Sequence, residues 1–251
     1  MNVAIKTDIG RVRLVNEDCS VVQHDLNGFV MAIVADGMGG HQAGEIASQM
    51  AIEIVQEHLQ TIEVGMSIDN CKAALQAAIE KANQTIYEFA QAKAQYQGMG
   101  TTIVAILANK EFIAIGHIGD SRAYLVTEDR IEQLTEDHSL VTELLRSGQI
   151  TAEEAFQHPR RNVLTRALGT DAQVVVEVAH YAWNPNHIVL MCSDGLSGQL
   201  DNNAILTILH KEQDLNWKAD LLVAEALHAG GDDNISVILL ANEPNVRSDH
   251  S

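Results

Sequence analysis

The sequence predicts an α+β layered domain, and three observations carry the prediction. Short β-branched runs recur from end to end, several separated only by turns, a spacing that favours antiparallel neighbours over alternating βαβ units. Longer stretches with helical period fall between those runs. The 251 residues are 46% hydrophobic with only 3 prolines, and neither an internal repeat nor a Pro/Ser linker divides them. One large buried core is the economical arrangement for such a chain.

In chain order, residues 3–7, 19–24 and 29–35 read as strands rich in Val, Ile and Phe. Over 42–59, Ala47, Ala51, Ile54, Val55, His58 and Leu59 fall on one helical face. A second helix is expected from Asp69 as N-cap to about residue 94, with Leu75, Ile79, Ile86 and Phe89 inward. Strands follow at 101–108, 112–118 and 122–126. Between 147 and 169 the pattern weakens: Thr151 and Glu154 form a capping-box signature for a short helix that Pro159 ends. Arg160, Arg161 and Arg166 make this stretch basic, so 147–168 reads either as a solvated loop or as a substrate-facing flap. Strands at 174–180 and 188–192 precede a helix marked by Ala219, Leu222, Val223, Ala226 and Leu227 and stopped by Gly230-Gly231. A strand at 235–240 closes a domain expected to span 1–241, with 242–251 as a polar tail.

Charge narrows the function classes. Sixteen basic residues stand against 34 acidic ones, for a net charge of −18. Without a basic footprint, nucleic acid and anionic membrane surfaces are poor partners, whereas cations are good ones. Cys19, Cys71 and Cys192 are odd in number and contain no CxxC pair, which argues against a disulfide framework or a thiolate zinc site and suits a reducing, cytoplasmic setting. The N-terminal run has no apolar h-region, and the longest apolar runs are of strand length, too short to cross a bilayer. A soluble protein without membrane insertion is expected.

One pattern recurs: an apolar strand runs into an aspartate beside a glycine. Residues 29–35 lead to Asp36-Gly37, 112–119 to Asp120, and 188–193 to Asp194-Gly195; Gly230-Gly231 leads into Asp232-Asp233-Asn234 before the last strand. Singly, each is an ordinary turn. Together, at converging strand ends, they would crowd carboxylates into a space that only protons or a cation can neutralise. Oxygen-only donors suit hard octahedral ions, Mg²⁺ or Mn²⁺. Bridging carboxylates can set two such ions about 3.5–4 Å apart and turn a shared water into a nucleophile at neutral pH, a two-metal hydrolytic site.

Other chemistries fail on the residues. Gly39 and Gly44 have P-loop spacing, but Glu45 follows where lysine is required. A cysteine-phosphatase loop opening at Cys192 would need arginine where Gly198 stands. There is no GxSxG elbow around Ser121, Ser193 or Ser197, and no HExxH.

The same residues carry a family resemblance. Thr7-Asp8-Ile9-Gly10, Arg13 and Asn16-Glu17-Asp18 resemble the N-terminal motif of the bacterial protein phosphatase 2C family, the metal-dependent serine/threonine phosphatases. The segments 35–41, 98–102, 117–122, 137–139, 193–196 and 231–234 continue that resemblance in order, to about residue 241. The chain closely resembles the single-domain phosphatases of Gram-positive bacteria that oppose a membrane Ser/Thr kinase. The resemblance implies a four-layer α/β/β/α sandwich of two antiparallel sheets flanked by helices, with two Mn²⁺ or Mg²⁺ at one edge. By position, Asp36 bridges both metals, Asp194 and Asp233 hold the first, and the Gly37 carbonyl joins Asp36 on the second. Asp120 and Asp194 match the ligands of a weaker third metal. Arg13 matches the residue that grips the phosphate, a role suited to its forked donors. Glu17 and Asp18 match groups that hold metal waters. Asn234 is expected to make turn hydrogen bonds.

The implied activity is one-step hydrolysis of phosphoserine or phosphothreonine by a metal-bridging hydroxide, on phosphorylated proteins that include a cognate Ser/Thr kinase, by a monomer. The chain departs from the eukaryotic members at the general acid. Met38 cannot transfer a proton; His41 is the nearest substitute, and a metal-bound water is the alternative source of the proton. His117, in an apolar strand, reads as a core histidine. Two other classes stay open on the residues alone: a two-metal nuclease or phosphodiesterase using the same carboxylates, and a regulatory module that has kept the fold without the activity.

Overall fold

The computed structural model describes residues 1–39 and 43–242. Its strands are β1 (Asn2–Asp8), β2 (Asp18–Leu26), β3 (Phe29–Met38), β4 (Gly100–Thr101), β5 (Ile103–Ala108), β6 (Phe112–Ile118), β7 (Arg122–Val126), β8 (Ile131–Gln133), β9 (Glu177–Ala182), β10 (Ile188–Cys192) and β11 (Ile235–Ala241). Its helices are α1 (Ala43–Leu59), α2 (Ile68–Ala92), α3 (Leu140–Arg146), α4 (Ala152–Phe156), α5 (Asp194–Ser197), α6 (Asn202–Leu209) and α7 (Leu215–Ala229).

The strands form two sheets, ordered β1-β11-β10-β7-β8 and β2-β3-β5-β6-β9, with β4 paired to the end of β3. All of these pairings are antiparallel. Because side chains alternate across a strand, each sheet has two apolar faces to cover. Val30, Ala32, Val34, Ile106 and Ile113 of one sheet meet Leu125, Val189, Met191 and Ile238 of the other in an inter-sheet core. The alternate residues Met31, Ile33, Ile103 and Leu107 pack under Ala47, Val55, Leu75 and Ile79 of α1 and α2. On the far side, Leu190, Cys192, Val237 and Leu239 pack under Ile205, Leu222 and Val223 of α6 and α7. Each fully buried aliphatic side chain contributes about 1.5–3 kcal/mol to this arrangement. The result is the α/β/β/α sandwich that the motif resemblance implies.

Local chemistry explains the element boundaries. Asn27 and Gly28 take φ of 51° and 90° in the β2–β3 hairpin, the pair of positive values a type I′ turn needs. Ser67, not Asp69, caps α2, its hydroxyl accepting from the Asn70 amide; Asp69 lies in the first turn instead. Thr151 and Glu154 close the reciprocal capping box of α4 as their spacing predicts. His58 is exposed rather than inward, while Ile52 takes a core position on α1.

The run 101–108 is divided at Thr102, whose amide donates to the Asp36 carbonyl at 2.8 Å. The strand expected at 174–180 lies at Glu177–Ala182. Asn242, assigned to the tail on sequence, is buried and donates to the Lys110 carbonyl at 3.1 Å; residues 243–251 lie outside those described. The elements α3, α5, α6 and β8 are too short to announce themselves by periodicity.

Candidate active site

Both sheets deliver carboxylates to one edge of the sandwich. Asp18 opens β2 and stands opposite Asp36 near the end of β3. Asp120 follows β6, Asp194 begins α5 directly after β10, and Asp233 precedes β11. The backbone of Asp36 is held on both sides: its amide donates to the Thr102 hydroxyl at 3.0 Å, and its carbonyl accepts from the Thr101 hydroxyl at 2.8 Å. The Thr102 hydroxyl in turn meets Ser121 at 2.7 Å, beside Asp120. Gly195 lies flat against the Asn234 backbone, where a Cβ would overlap the Asn234 carbonyl oxygen.

The carboxyls of this edge crowd one another. Burial, then the Ser193 and Ser236 hydroxyls acting in the opposite sense and the nearby Asp194 and Asp233 charges, leave the Asp18 carboxyl at about 7. Burial first, and then Asp194 and Asp137, push Asp120 up to about 7. Asp36 is raised well above the carboxylate range by burial and by Asp18, Asp194, Asp120 and Asp233. Asp194 is raised by burial and by Asp233, although a hydrogen bond shared with Asp36 partly offsets this. Arg122 donates to both oxygens of Asp137, at 2.9 and 2.6 Å.

Arg13 and its loop close the site from the N-terminal side. Arg13 Nη2 donates to Asp233 Oδ2 at 2.6 Å, and Nη1 lies 4.0 Å from Glu17 Oε2. Asn234 holds the loop: its side-chain amide donates to the carbonyls of Ile9 and Val15 at 2.8 and 3.1 Å, while its Oδ1 accepts from the Glu17 amide at 2.8 Å. Ser193 donates to Asp18 Oδ2 at 2.6 Å. Among the described residues, the carboxylate oxygens Glu17 Oε1 and Asp18 Oδ1 are buried without a hydrogen-bond partner. Acceptors in that state want a donor such as a bound water, or a cation. An all-oxygen set of raised, crowded carboxyls with such neighbours fits hard divalent ions. Arg13, Glu17, Asp18, Asp36, Gly37, Asp120, Asp194, Asp233 and Asn234 therefore lie on or around one edge. His41 lies outside the described residues.

A cavity of about 280 Å³ runs from Asp120 and Asp194 past Asp137 and Ser139 to Arg161 and Asn162. Arg166, counted with these basic residues on sequence, instead donates to Glu177 at 3.0 Å. Sequence reasoning missed the group behind it. The His117 and His138 rings stack at 4.8 Å, and Glu177 Oε1 lies 3.0 Å from His138 Nε2, off the ideal hydrogen-bond direction. Three such side chains could suggest a metal site, but the protons argue otherwise. His138 Nδ1 accepts from the Gly119 amide at 3.1 Å, so its Nε2 carries the proton. His117 Nε2 faces the Glu136 carbonyl at 3.0 Å and is likewise a donor. The trio is a packed hub, stacked and charge-coupled, joining β6, β9 and the segment after β8, and His117 is a core histidine as its strand predicts. Sequence offers no signal for the hub, since its members come from three separate stretches of the chain.

The protein phosphatase 2C family model matches residues 10–225. The serine/threonine phosphatase stp of Listeria welshimeri is 39% identical over 240 residues, covering 96% of this chain and 95% of that protein. The crystal structure of the serine/threonine phosphatase Stp1 from Staphylococcus aureus is similar with a TM-score of 0.92 at 36% identity, covering 96% of this chain and 95% of that one. The catalytic domain of the serine threonine protein phosphatase PstP, solved in complex with 2 manganese ions, is similar with a TM-score of 0.83 at 33% identity, covering 95% of this chain and 96% of that one. With two antiparallel sheets, carboxylates gathered at one edge and relatives of this length and identity, the chain belongs to the protein phosphatase 2C family and is a serine/threonine phosphatase of that type.

Proposed function

We propose that this chain removes phosphate from phosphoserine and phosphothreonine in proteins, a cognate Ser/Thr kinase among them, as a cytoplasmic monomer dependent on two Mn²⁺ or Mg²⁺. Asp36, the Gly37 carbonyl, Asp194 and Asp233 would hold the two ions, and Asp120 with Asp194 a weaker third. The observation that carries the reading is the convergence of buried, raised carboxyls beside the unpartnered oxygens of Glu17 and Asp18. Bound there, the ions supply Lewis acidity and a water made nucleophilic at neutral pH.

The chain's own residues do the rest. Arg13 presents a forked pair of donors to the phosphoryl oxygens, and Asp233 aims it. Glu17 and Asp18 accept hydrogen bonds from water in the site, Asp18 being oriented by Ser193. Cys192 is not a competing nucleophile: its thiol is fully buried and burial pushes it up to about 12, so it stays protonated. That supports displacement in one step, without a covalent enzyme intermediate. We assign the leaving-group proton to His41. Residues 147–168 serve as a flap; in support, Arg161 and Asn162 line the same cavity as Asp120 and Asp194.

The test is phosphate release from a phosphothreonine peptide after EDTA stripping, titrated with Mn²⁺. Release that appears with the metal and vanishes in Asp194→Ala supports the reading. Near-normal turnover in Asp194→Ala would overturn the assignment, and silence at every Mn²⁺ concentration with folded protein would overturn the activity.

A further inference from the structure

The loop that carries Arg13 also carries an exposed apolar surface for which the fold has no use. Leu14 is 95% exposed and Val12 is 64% exposed, and Ile9 and Val15 are open at 38% and 37%. Scattered exposed leucines are ordinary. Here the apolar residues sit together on a segment tied at several points. Asn234 bonds the carbonyls of Ile9 and Val15 with one side-chain amide, so residues 10–14 form a closed ear. The Arg11 amide donates to the Gly231 carbonyl at 2.7 Å, and the Asn16 side chain donates to Thr7 at 3.0 Å. A surface held in place is preorganised for contact, because little ordering remains to be done on binding.

Charge identifies what the surface suits. In a chain of net charge −18, the stretch Ile9-Gly10-Arg11-Val12-Arg13-Leu14-Val15-Asn16 contains two arginines and no acid. It is a local basic and apolar island beside an acidic centre, complementary to a partner segment that bears a phosphate next to an apolar side chain. Val12 and Leu14 each adjoin Arg13, and adjacent Cα atoms are only about 3.8 Å apart. A phosphate held by Arg13 therefore brings the residues that flank it onto this ear.

We propose that Val12 and Leu14 form a docking shelf for an apolar side chain within one or two positions of the phosphorylated residue of a protein substrate. The proposal rests on the reading of the edge carboxylates as a phosphatase site. The shelf acts on substrate choice. It makes no contact with the reacting atoms, and Val12 and Leu14 are specificity residues rather than catalytic ones.

The experiment compares Leu14→Ser, Val12→Ser and the double variant with the unaltered protein. Three substrates are used: a phosphothreonine peptide with leucines on either side, the same peptide with serines there, and p-nitrophenyl phosphate, which has no flanking residues. In the double variant KM for the leucine-flanked peptide should rise about tenfold, on the scale of a lost apolar contact, with kcat held. KM for the other two substrates should change by less than twofold. An unchanged KM for the leucine-flanked peptide overturns the shelf. So does an equal rise for all three substrates, which would mean that the ear only positions Arg13. If the unaltered protein releases phosphate from neither peptide, the phosphatase reading itself fails, a result distinct from loss of discrimination. Both positions are exposed, and an unchanged thermal midpoint confirms that the variants fold.

Discussion

Arg13 reaches 220 residues along the chain to donate from Nη2 to Asp233 Oδ2 at 2.6 Å. The contact joins the N-terminal loop to the turn that leads into β11. It also leaves Nη1 4.0 Å from Glu17 and the guanidinium half exposed at the rim of the carboxylate edge. An arginine aimed by a carboxylate keeps its fork oriented for a phosphate without first having to be ordered.

Arg13→Ala should raise KM for a phosphopeptide by about 10- to 100-fold, the scale of a hydrogen bond to a charged group, with a smaller effect on kcat. Arg13→Lys should recover only part of this, because an ammonium cannot donate bidentately. Steady-state kinetics on one phosphopeptide measures both. A kcat loss as large as the KM change would mean that Arg13 acts in the transition state rather than in binding.

Asp194 gives a prediction in which stability and function part company. Its carboxyl is buried, beside Asp36 and Asp233, and is raised above the usual range. In the metal-free protein a charge at this position is unfavourable, so Asp194→Asn should raise the metal-free thermal midpoint by roughly 2–4 °C per kcal/mol relieved. Added Mn²⁺ should raise the midpoint of the unaltered protein by mass action and leave Asp194→Asn almost unmoved. Thermal scans with EDTA and with Mn²⁺ settle it. A metal-free Asp194→Asn that melts lower would mean the carboxylate is needed for the fold itself.

Much of this edge was legible in the sequence, for a local reason. A strand that runs into an aspartate beside a glycine states both where the chain turns and which oxygen it leaves there, so Asp36, Asp120 and Asp194 could be placed by reading alone, whereas Asp233 rather than Asp232 followed from the motif resemblance. Capping at Thr151 was legible on the same ground, its two partners lying three residues apart. Asp69 was the wrong cap because Ser67 and Asp69 are both good capping residues, and only the backbone geometry decides between them. The Glu177 hub was illegible: His117, His138 and Glu177 meet only after β6 pairs with β9, and Glu177 lies beside the strand boundary that periodicity misplaced. Nothing in the sequence marks Val12 and Leu14 as a shelf, since exposure is a property of the fold and not of the letters.

The hub should make the fold acid-sensitive. Burial lowers His117, and burial together with His117 lowers His138, so both imidazoles are neutral at pH 7. A depressed histidine means that the unfolded chain binds the proton first, at its ordinary value of about 6.5. Stability from this source is therefore complete above that pH and is lost as pH falls through it towards the lower folded value. Geometry gives the same sign, because a proton added at His138 Nδ1 would face the Gly119 amide. Burial opposes the charge of Glu177, but His138 and Arg166 hold it below its usual range, so its contribution also falls with acid, at lower pH. In His138→Asn the Oδ1 can accept from Gly119 without titrating. Between pH 7.5 and 5.5 the unaltered protein should lose about 1 kcal/mol relative to that variant in urea denaturation. Parallel curves would remove His138 as the titrating group.

Two glycines separate the needs of the site from those of the chain. Gly28 takes φ of 90° in an open turn with no atom within 4 Å of a Cβ, so its side-chain hydrogen serves backbone conformation alone. Gly195 has no such φ; its constraint is the Asn234 carbonyl, which a Cβ would overlap. Asn234 holds the ear at Ile9 and Val15 and adjoins Asp233, so displacing it moves Arg13 and a metal-ligand candidate together. Gly28→Ala should cost about 1–2 kcal/mol through left-handed strain and leave Mn²⁺ affinity untouched. Gly195→Ala should cost about 1–3 kcal/mol as an overpacking change, and it should also weaken Mn²⁺ binding by at least tenfold in calorimetry at a temperature where the variant is folded. Normal Mn²⁺ affinity in folded Gly195→Ala would show that the edge tolerates movement of Asn234, and that Asp233 is aimed by something other than the close approach of α5 to β11.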